Sequence, residues 1–230
     1  MTARASSDVI GVTRHGCETG RVTQPHPHDH PHDHDHAHGA PAPGPLADAS
    51  VRTARPSDAP AVGLVQAWVW QTELADVLAP EVLEALTGPR LASVWRQSLE
   101  RPPTPRHRLL VACAGPQVVG YVAIGPVGEE PGTEEPGLDP ATTGLILDGG
   151  VHPEGRGAGH GSRLLNAAVD TLRAGSSEEL DTVATWVLAD AEGTRAFLQA
   201  AGFAPDGAWR DRVVGEDGRT AREVRLLVSL

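Results

Sequence analysis

The stretch Val151 to Leu165, VHPEGRGAGHGSRLL, constrains the fold of this chain more than any other. A short apolar run, Leu145 to Val151, leads into it and reads as a strand. Glycines at alternate positions, Gly155, Gly157, Gly159 and Gly161, predict a turn. Leu164, Leu165, Ala168, Val169 and Leu172 then recur at helical spacing on one face. Strand, glycine turn and helix N-terminus together make an anion site. Glycine lets the backbone approach closely, and the helix's unpaired N–H groups and positive dipole end face the ligand. The expected ligand is a phosphate or pyrophosphate, and the alternative is a plain glycine turn.

Spacing narrows the choice of phosphate ligand. A Walker A loop needs Gly-Lys-Ser/Thr, and the chain contains no lysine. A dinucleotide fingerprint G-x-G-x-x-G, counted from Gly155 or Gly157, would end at His160 or Ser162. The acid at the end of the next strand, Asp190, lies well beyond the expected offset of ~20 residues. What fits is Arg-x-x-Gly-x-Gly, Arg156 to Gly161, preceded by Val-x-Pro and followed by Leu-Leu. In this stretch the chain resembles the acetyl-CoA-binding motif of the GNAT N-acetyltransferase superfamily.

The 230 residues suit one domain with an appendage, or two small domains. A formal charge of -11 without a basic stripe argues against a nucleic-acid partner. Cys17 and Cys113 lie far apart and fit neither a disulfide nor a zinc framework, and Cys113 reads as a small buried residue. No apolar segment reaches ~18 residues and the N-terminus lacks an apolar h-region, so neither a membrane span nor a secretory signal is expected. The default location is cytoplasmic. No motif encodes an oligomeric state.

Residues 1–48 differ in composition from the rest. Histidines occupy alternate positions, His26, His28, His30, His32, His34, His36 and His38, with Asp29, Asp33 and Asp35 between several of them. Such a tract has too little apolar surface to offset its ordering entropy, which predicts disorder. Chemically it is an imidazole array able to wrap Zn²⁺, Ni²⁺ or Cu²⁺ without fixed geometry. An incidental low-complexity leader is the alternative, and no CxxC or spaced HxxxH accompanies the tract to fix a structural zinc site.

The folded part is expected over residues 49–230. It opens with a strand at Val51–Arg55, then a helix start at Pro56-Ser57-Asp58 with Ser57 or Asp58 as N-cap, and a helix carrying Val62, Val65 and Val69. Short helices follow Pro80 and Leu91, and the proline-rich Arg101–Pro105 ends them. Arg108–Cys113 and Gln117–Ile124 read as a hairpin across Ala114-Gly115-Pro116. Glu129–Gly144 reads mainly as an acidic solvated loop. Strand Val183–Leu188, helix Glu192–Ala201 and a terminal hairpin about Glu216-Asp217-Gly218 complete the chain. The order β-α-α-β-β-β-α-β-α-β-β predicts an α/β fold, a mixed sheet with helices on both faces, behind a disordered His-rich tail.

That order is also the superfamily's, and Phe197-Leu198-x-x-x-Gly202-Phe203 is similar to its Phe-Tyr-x-x-x-Gly-Phe. The resemblance covers roughly Ala49 to Leu230. It implies a mostly antiparallel sheet whose strands splay beside the motif helix, with the pantetheine arm pairing with backbone around Gly149 to Val151. It implies further that Arg156, Gly157, Ala158, Gly159, His160, Gly161 and Ser162 hold the diphosphate. The implied activity is transfer of the acetyl group of acetyl-CoA to an amine by direct attack in a ternary complex. A catalytically idle acyl-CoA-binding or metal-sensing module on the same fold is the alternative. The first helices border the acceptor pocket by resemblance, which makes Trp70 and Glu73 candidates.

Two of the superfamily's catalytic positions are departures here. The usual general-base glutamate falls at Leu145, and the usual tyrosine at Leu198. Asp148 and Thr194 are the replacement candidates. A bulge in the motif strand would turn Asp148 toward the pocket. Thr194 sits one helical turn before Leu198, on the same face, where it could hold a water beside the thiol. An ordinary hydrogen-bonded carboxylate and a packed or solvent-facing threonine are the plainer alternatives.

Overall fold

The computed structural model describes residues 13–17, 49–128, 135–214 and 218–230, with backbone alone described for 13–17 and 49. Two pieces of β-structure precede the helices, β1 (Thr13–Cys17) and β2 (Ala49–Thr53). Then follow α1 (Ala59–Glu73), α2 (Pro80–Ala85), α3 (Gly88–Glu100), β3 (Arg108–Ala114), β4 (Gln117–Pro126) and β5 (Thr143–Val151). The chain closes with α4 (His160–Gly175), β6 (Thr182–Leu188), α5 (Glu192–Ala200), β7 (Ala204–Val213) and β8 (Thr220–Ser229). The sheet runs β1-β7-β8-β6-β5-β4-β3-β2. Every pair is antiparallel except β5–β6, which α4 joins as a crossover. The mixed, mostly antiparallel sheet is therefore as expected, with α1–α3 on one face and α4 on the other.

Strand β1 lies within the leader expected to be disordered, and its backbone pairs with β7 from Thr13↔Arg212 to Cys17↔Ala208. The histidine tract lies outside the described residues.

Helices α1, α3 and α4 bury the stripes their sequence spacing defines. On α4, Leu164, Leu165, Ala168 and Leu172 pack against Leu110, Val122 and Ile124 of the sheet. A leucine so placed contributes about 1.5–3 kcal/mol. On the opposite face, Val62, Val65 and Val69 of α1 and Trp95 of α3 cover Leu109, Val111 and Tyr121. Helices α1 and α3 cross very closely at Gly63. A Cβ there would stand 2.5 Å from backbone atoms of Gly88 and Ala92, so only glycine permits the crossing. The close crossing puts the Trp95 indole against Gln66, a buried polar residue on an otherwise apolar stripe.

Two expectations need local correction. Asp58 stands at the N-cap position of α1, one of the two expected, but makes no capping bond with its side chain; its carboxylate is bound by Arg52 at 2.6 and 2.9 Å and by the Arg55 amide. Glu135, expected on a solvated loop, is buried. It accepts from Trp186 Nε1 at 2.8 Å and from Arg225 at 3.2 Å, which fastens the end of that loop to β6 and β8.

Candidate active site

Strand β5 does two things along its length. From Thr143 to Ile146 it pairs in parallel with β6, and the Thr185 hydroxyl donates to the Ile146 carbonyl at 3.1 Å where that pairing stops. Beyond Ile146 it keeps β4 alone as neighbour, through Asp148↔Ala123, Gly149↔Val122, Gly150↔Tyr121 and Val151↔Gly120. The register slips at this level, with Ile146 opposite Ile124 and Asp148 opposite Ala123, so Leu147 is the extra residue of a bulge. The bulge bends β5 away from β6. One edge of residues 147–151 thereby faces a cavity of about 1110 Å³ instead of a strand.

The glycine loop closes one end of this cavity. Gly157 and Gly159 take φ of 75° and 79°, the left-handed region that other residues enter at a cost. Their conformation delivers the chain to His160, the first residue of α4. The amides of His160, Gly161 and Ser162 lie ahead of the helix's own hydrogen bonds, a concavity of donors suited to an anion. Ala158 is exposed, and its carbonyl accepts from Arg163 at 2.8 Å. The His160 ring is buried, and burial together with Arg163 lowers its pKa, so the ring lines the wall as a neutral group. Ser162 is exposed where the cavity meets a groove between α4 and α5.

Arg156 is engaged elsewhere than at the loop's concavity. Its Nε donates to the Val151 carbonyl at 3.1 Å, and its guanidinium pairs with Glu73 at 3.3 Å. Burial raises the pKa of Glu73, Arg156 lowers it, and Asp148 pushes it up again.

The other end of the cavity is built around Asp148. Its Oδ2 accepts from Gln66 Nε2 at 2.7 Å and from the Tyr121 hydroxyl at 2.9 Å. Its Oδ1 accepts from the Gly149 amide at 2.9 Å, and the Trp70 side chain also bonds the carboxylate. These partners are all neutral. Burial raises the pKa of Asp148, and the hydrogen bonds from Tyr121, Gln66, Gly149 and Trp70 pull it back. The Tyr121 phenol is pushed well above its ordinary value by burial first and Asp148 second, so it stands as a donor. The carboxylate is deeply enclosed by protein yet part-open to the cavity.

Thr194 and Leu198, one turn apart on α5, line the same cavity. Leu198 is buried in the apolar cluster of Val119, Val122 and Leu164. Leu145 is buried with Val127 and Ala184. The structure thus brings together Asp148, Gly149, Val151, Arg156, Gly157, Gly159, His160, Gly161, Ser162 and Thr194 around one cavity, and leaves the predicted Ala158 outside its lining. Sequence reasoning missed Gln66, Trp95 and Tyr121. Gln66 carried a signal, because a polar residue interrupts the apolar series Val62, Val65, Val69.

Among the described residues no group of three or more His, Cys, Asp or Glu is placed to hold a metal ion. No helix among them is long and apolar enough to cross a membrane.

The sequence profile of the acetyltransferase (GNAT) family matches residues 70–203, which span α1's end, the bulged strand, the glycine loop and α5. The chain belongs to that family. It is an acyltransferase of the N-acetyltransferase type. Solved structures agree in fold. A ribosomal-protein-alanine N-acetyltransferase from Brucella melitensis aligns at TM-score 0.58 and 21% identity, over 79% of this chain and 99% of that one. PaiA N-acetyltransferase from Thermoplasma acidophilum, in complex with coenzyme A, aligns at 0.56 and 14%, over 80% and 99%. YncA, a putative acetyltransferase from Salmonella typhimurium with acetyl-CoA, aligns at 0.54 and 19%, over 79% and 94%. A search of curated proteins finds no match.

Proposed function

We propose that this acetyltransferase moves the acetyl group of acetyl-CoA to an amine acceptor by direct attack within a ternary complex. The observation that carries the reading is the parting of β5 from β6 at the level of Asp148, with the α4 glycine loop at the far end of the same cavity. An extended pantetheine arm fits the free edge of β5 at Gly149–Val151, replacing the strand partner that β6 withdraws. The diphosphate fits the amides from Gly157 to Ser162. Acetyl-CoA in the YncA structure and coenzyme A in the PaiA structure support this use of the cavity.

Asp148 then serves as general base. It takes one proton from the acceptor ammonium, leaving a neutral amine. The nitrogen attacks the thioester carbonyl carbon, and a β5 amide near Val151 stabilises the oxyanion. The C–N bond forms and the C–S bond breaks, and the proton shed by nitrogen reaches the departing thiolate through water. We assign that transfer to a water bound at Thr194, which lines the cavity one turn before Leu198, since Leu198 has no proton to give. Asp148 returns its proton to solvent, and one acetyl-CoA and one ammonium become amide, free thiol and a proton.

Thiol release from acetyl-CoA in the presence of a panel of amines tests the reading. Amine-dependent release is expected for at least one acceptor class. Tight acetyl-CoA binding with no release for any amine would establish the idle module instead.

We also propose that the tract His26–His38 binds Zn²⁺ or Ni²⁺ independently of the catalytic domain. Replacing its seven histidines by glutamine should abolish Ni²⁺ binding measured by calorimetry and leave acetyl-CoA affinity unchanged.

A further inference from the structure

Resting on the reading of Asp148 as base, we propose that Gln66 is a positioning residue, locked by Trp95, that holds the Asp148 carboxylate as a proton acceptor facing the amine. A glutamine amide offers an oxygen at one end and an NH₂ at the other, and either end could face Asp148. Trp95 removes that freedom. Its indole nitrogen is a donor only, and it stands 2.6 Å from Gln66 Oε1. The oxygen must therefore face Trp95, and the NH₂ must face Asp148, 2.7 Å from Oδ2.

The consequence reaches the carboxylate. With Gln66 Nε2 fixed as one donor and the Tyr121 hydroxyl as a second, both acceptor positions of Oδ2 are filled. A proton arriving there would confront two others. Uptake is left to Oδ1, which the Gly149 amide aligns. The lock thus favours the ionised carboxylate and selects the oxygen that receives the proton. Burial acts in the opposite sense and keeps Asp148 basic enough to be useful.

The surroundings on every packed element agree with this division. Helix α1 supplies Gln66, Trp70 and Glu73, the last paired with Arg156. Helix α3 supplies Trp95, whose ring also meets Tyr121 edge-on at 5.9 Å. Strand β4 supplies Tyr121, and β5 the Gly149 amide. His107, ahead of β3, lines the same cavity beside Gly125 and Leu147.

The titration that tests the lock needs no acceptor. In the full chain labelled with ¹³C at aspartate Cγ, the Asp148 resonance is assigned by its loss in Asp148→Asn and titrated against pH. Trp95→Phe keeps the ring but removes the N–H, which frees the Gln66 amide to turn its oxygen toward Asp148. Gln66→Met removes the donor and keeps the length. Both variants should raise the titration midpoint by about one pH unit. The double variant should match Gln66→Met alone, because phenylalanine keeps a ring against Tyr121 and the N–H it removes acts only through Gln66. A midpoint unmoved in both single variants overturns the proposal, and so does a double variant whose shift is the sum of the two. Thiol release separates this from the base reading. Asp148→Asn turning over like the parent would overturn the base assignment, and with it the role of Gln66. A slow Asp148→Asn beside unmoved midpoints would overturn only the lock.

Discussion

The glycine-loop end and the carboxylate end of the cavity are made of different material. At the loop end the functional groups are backbone amides, set by two left-handed glycines and the first turn of α4 within one short stretch. At the carboxylate end they are side chains drawn from α1, α3, β4 and β5, and each depends on the others for orientation. A backbone site is indifferent to most side chains and intolerant of any Cβ in the wrong place. A side-chain site is the reverse: its backbone is ordinary strand and helix, and a single exchanged atom changes its chemistry.

The largest expected effect follows at the loop. Gly159→Asp forces an L-residue into φ of 79°, with its Cβ 3.0 Å from the Arg163 guanidinium, and adds negative charge where the diphosphate is proposed to sit. Gly161→Asp sets its Cβ 3.3 Å from the Phe197 ring and adds the same charge. Acetyl-CoA binding should disappear in both when measured by calorimetry. Undiminished affinity in either would remove the phosphate assignment.

Asp148→Asn comes next and should separate the two ends. Turnover should fall by ~10²–10⁴-fold, the usual worth of a general base, while acetyl-CoA affinity stays as in the parent. A matching loss of both would mean that the carboxylate shapes the cavity without serving the reaction.

Arg156→Ala is a smaller effect and discriminates between the ends more finely. As the first residue of the loop motif, Arg156 suggests a charge-assisted phosphate contact worth ~1–3 kcal/mol. Its guanidinium instead pairs with Glu73, partly exposed on both sides. Such pairs contribute about 0–1 kcal/mol. The variant should therefore leave acetyl-CoA affinity almost intact and change the acceptor KM by no more than about fivefold.

The same contrast explains what the sequence made legible. The loop could be read because glycine, motif spacing and helix start lie in one contiguous run, and the succession of strands and helices along residues 49–230 followed from their periodicity. Asp148 was legible as a carboxylate on the motif strand that a bulge would turn toward the pocket, but its surroundings were not. Its partners Gln66 and Tyr121 lie 82 and 27 residues away in the chain, Trp95, which binds Gln66, lies 53 away, and no local pattern links them to it. Glu135 was misread for a related reason. An acidic Pro/Gly-rich stretch reads as solvated, and nothing nearby announces the Arg225 and Trp186 that bury it. The engagement of Arg156 with Glu73, 83 residues apart, was equally unreadable.

The smallest effect concerns stability, and its sign is informative. Burial raises the folded-state pKa of Asp148 above that of the unfolded chain. A carboxylate raised in this way contributes its full stability below the unfolded carboxylate range. The contribution is lost as pH climbs through the raised folded value. Above that window the parent carries a desolvated charge with neutral partners alone, which Asp148→Asn lacks. Asp148 also pushes Glu73 upward, so removing its charge relieves both carboxylates in the same direction. The amide has a cost of its own, because its NH₂ meets donors from Gln66, Tyr121 or Gly149, but that cost does not vary with pH. The difference in Tm, variant minus parent, should therefore rise with pH from the ordinary carboxylate range upward and then level off. In a domain of this size about 1 kcal/mol corresponds to roughly 2–4 °C, so the expected span is a few degrees. Thermal melts of both proteins across that pH range check it. A difference flat in pH would mean that Asp148 ionises as freely in the fold as in the unfolded chain, leaving no buried base at the carboxylate end.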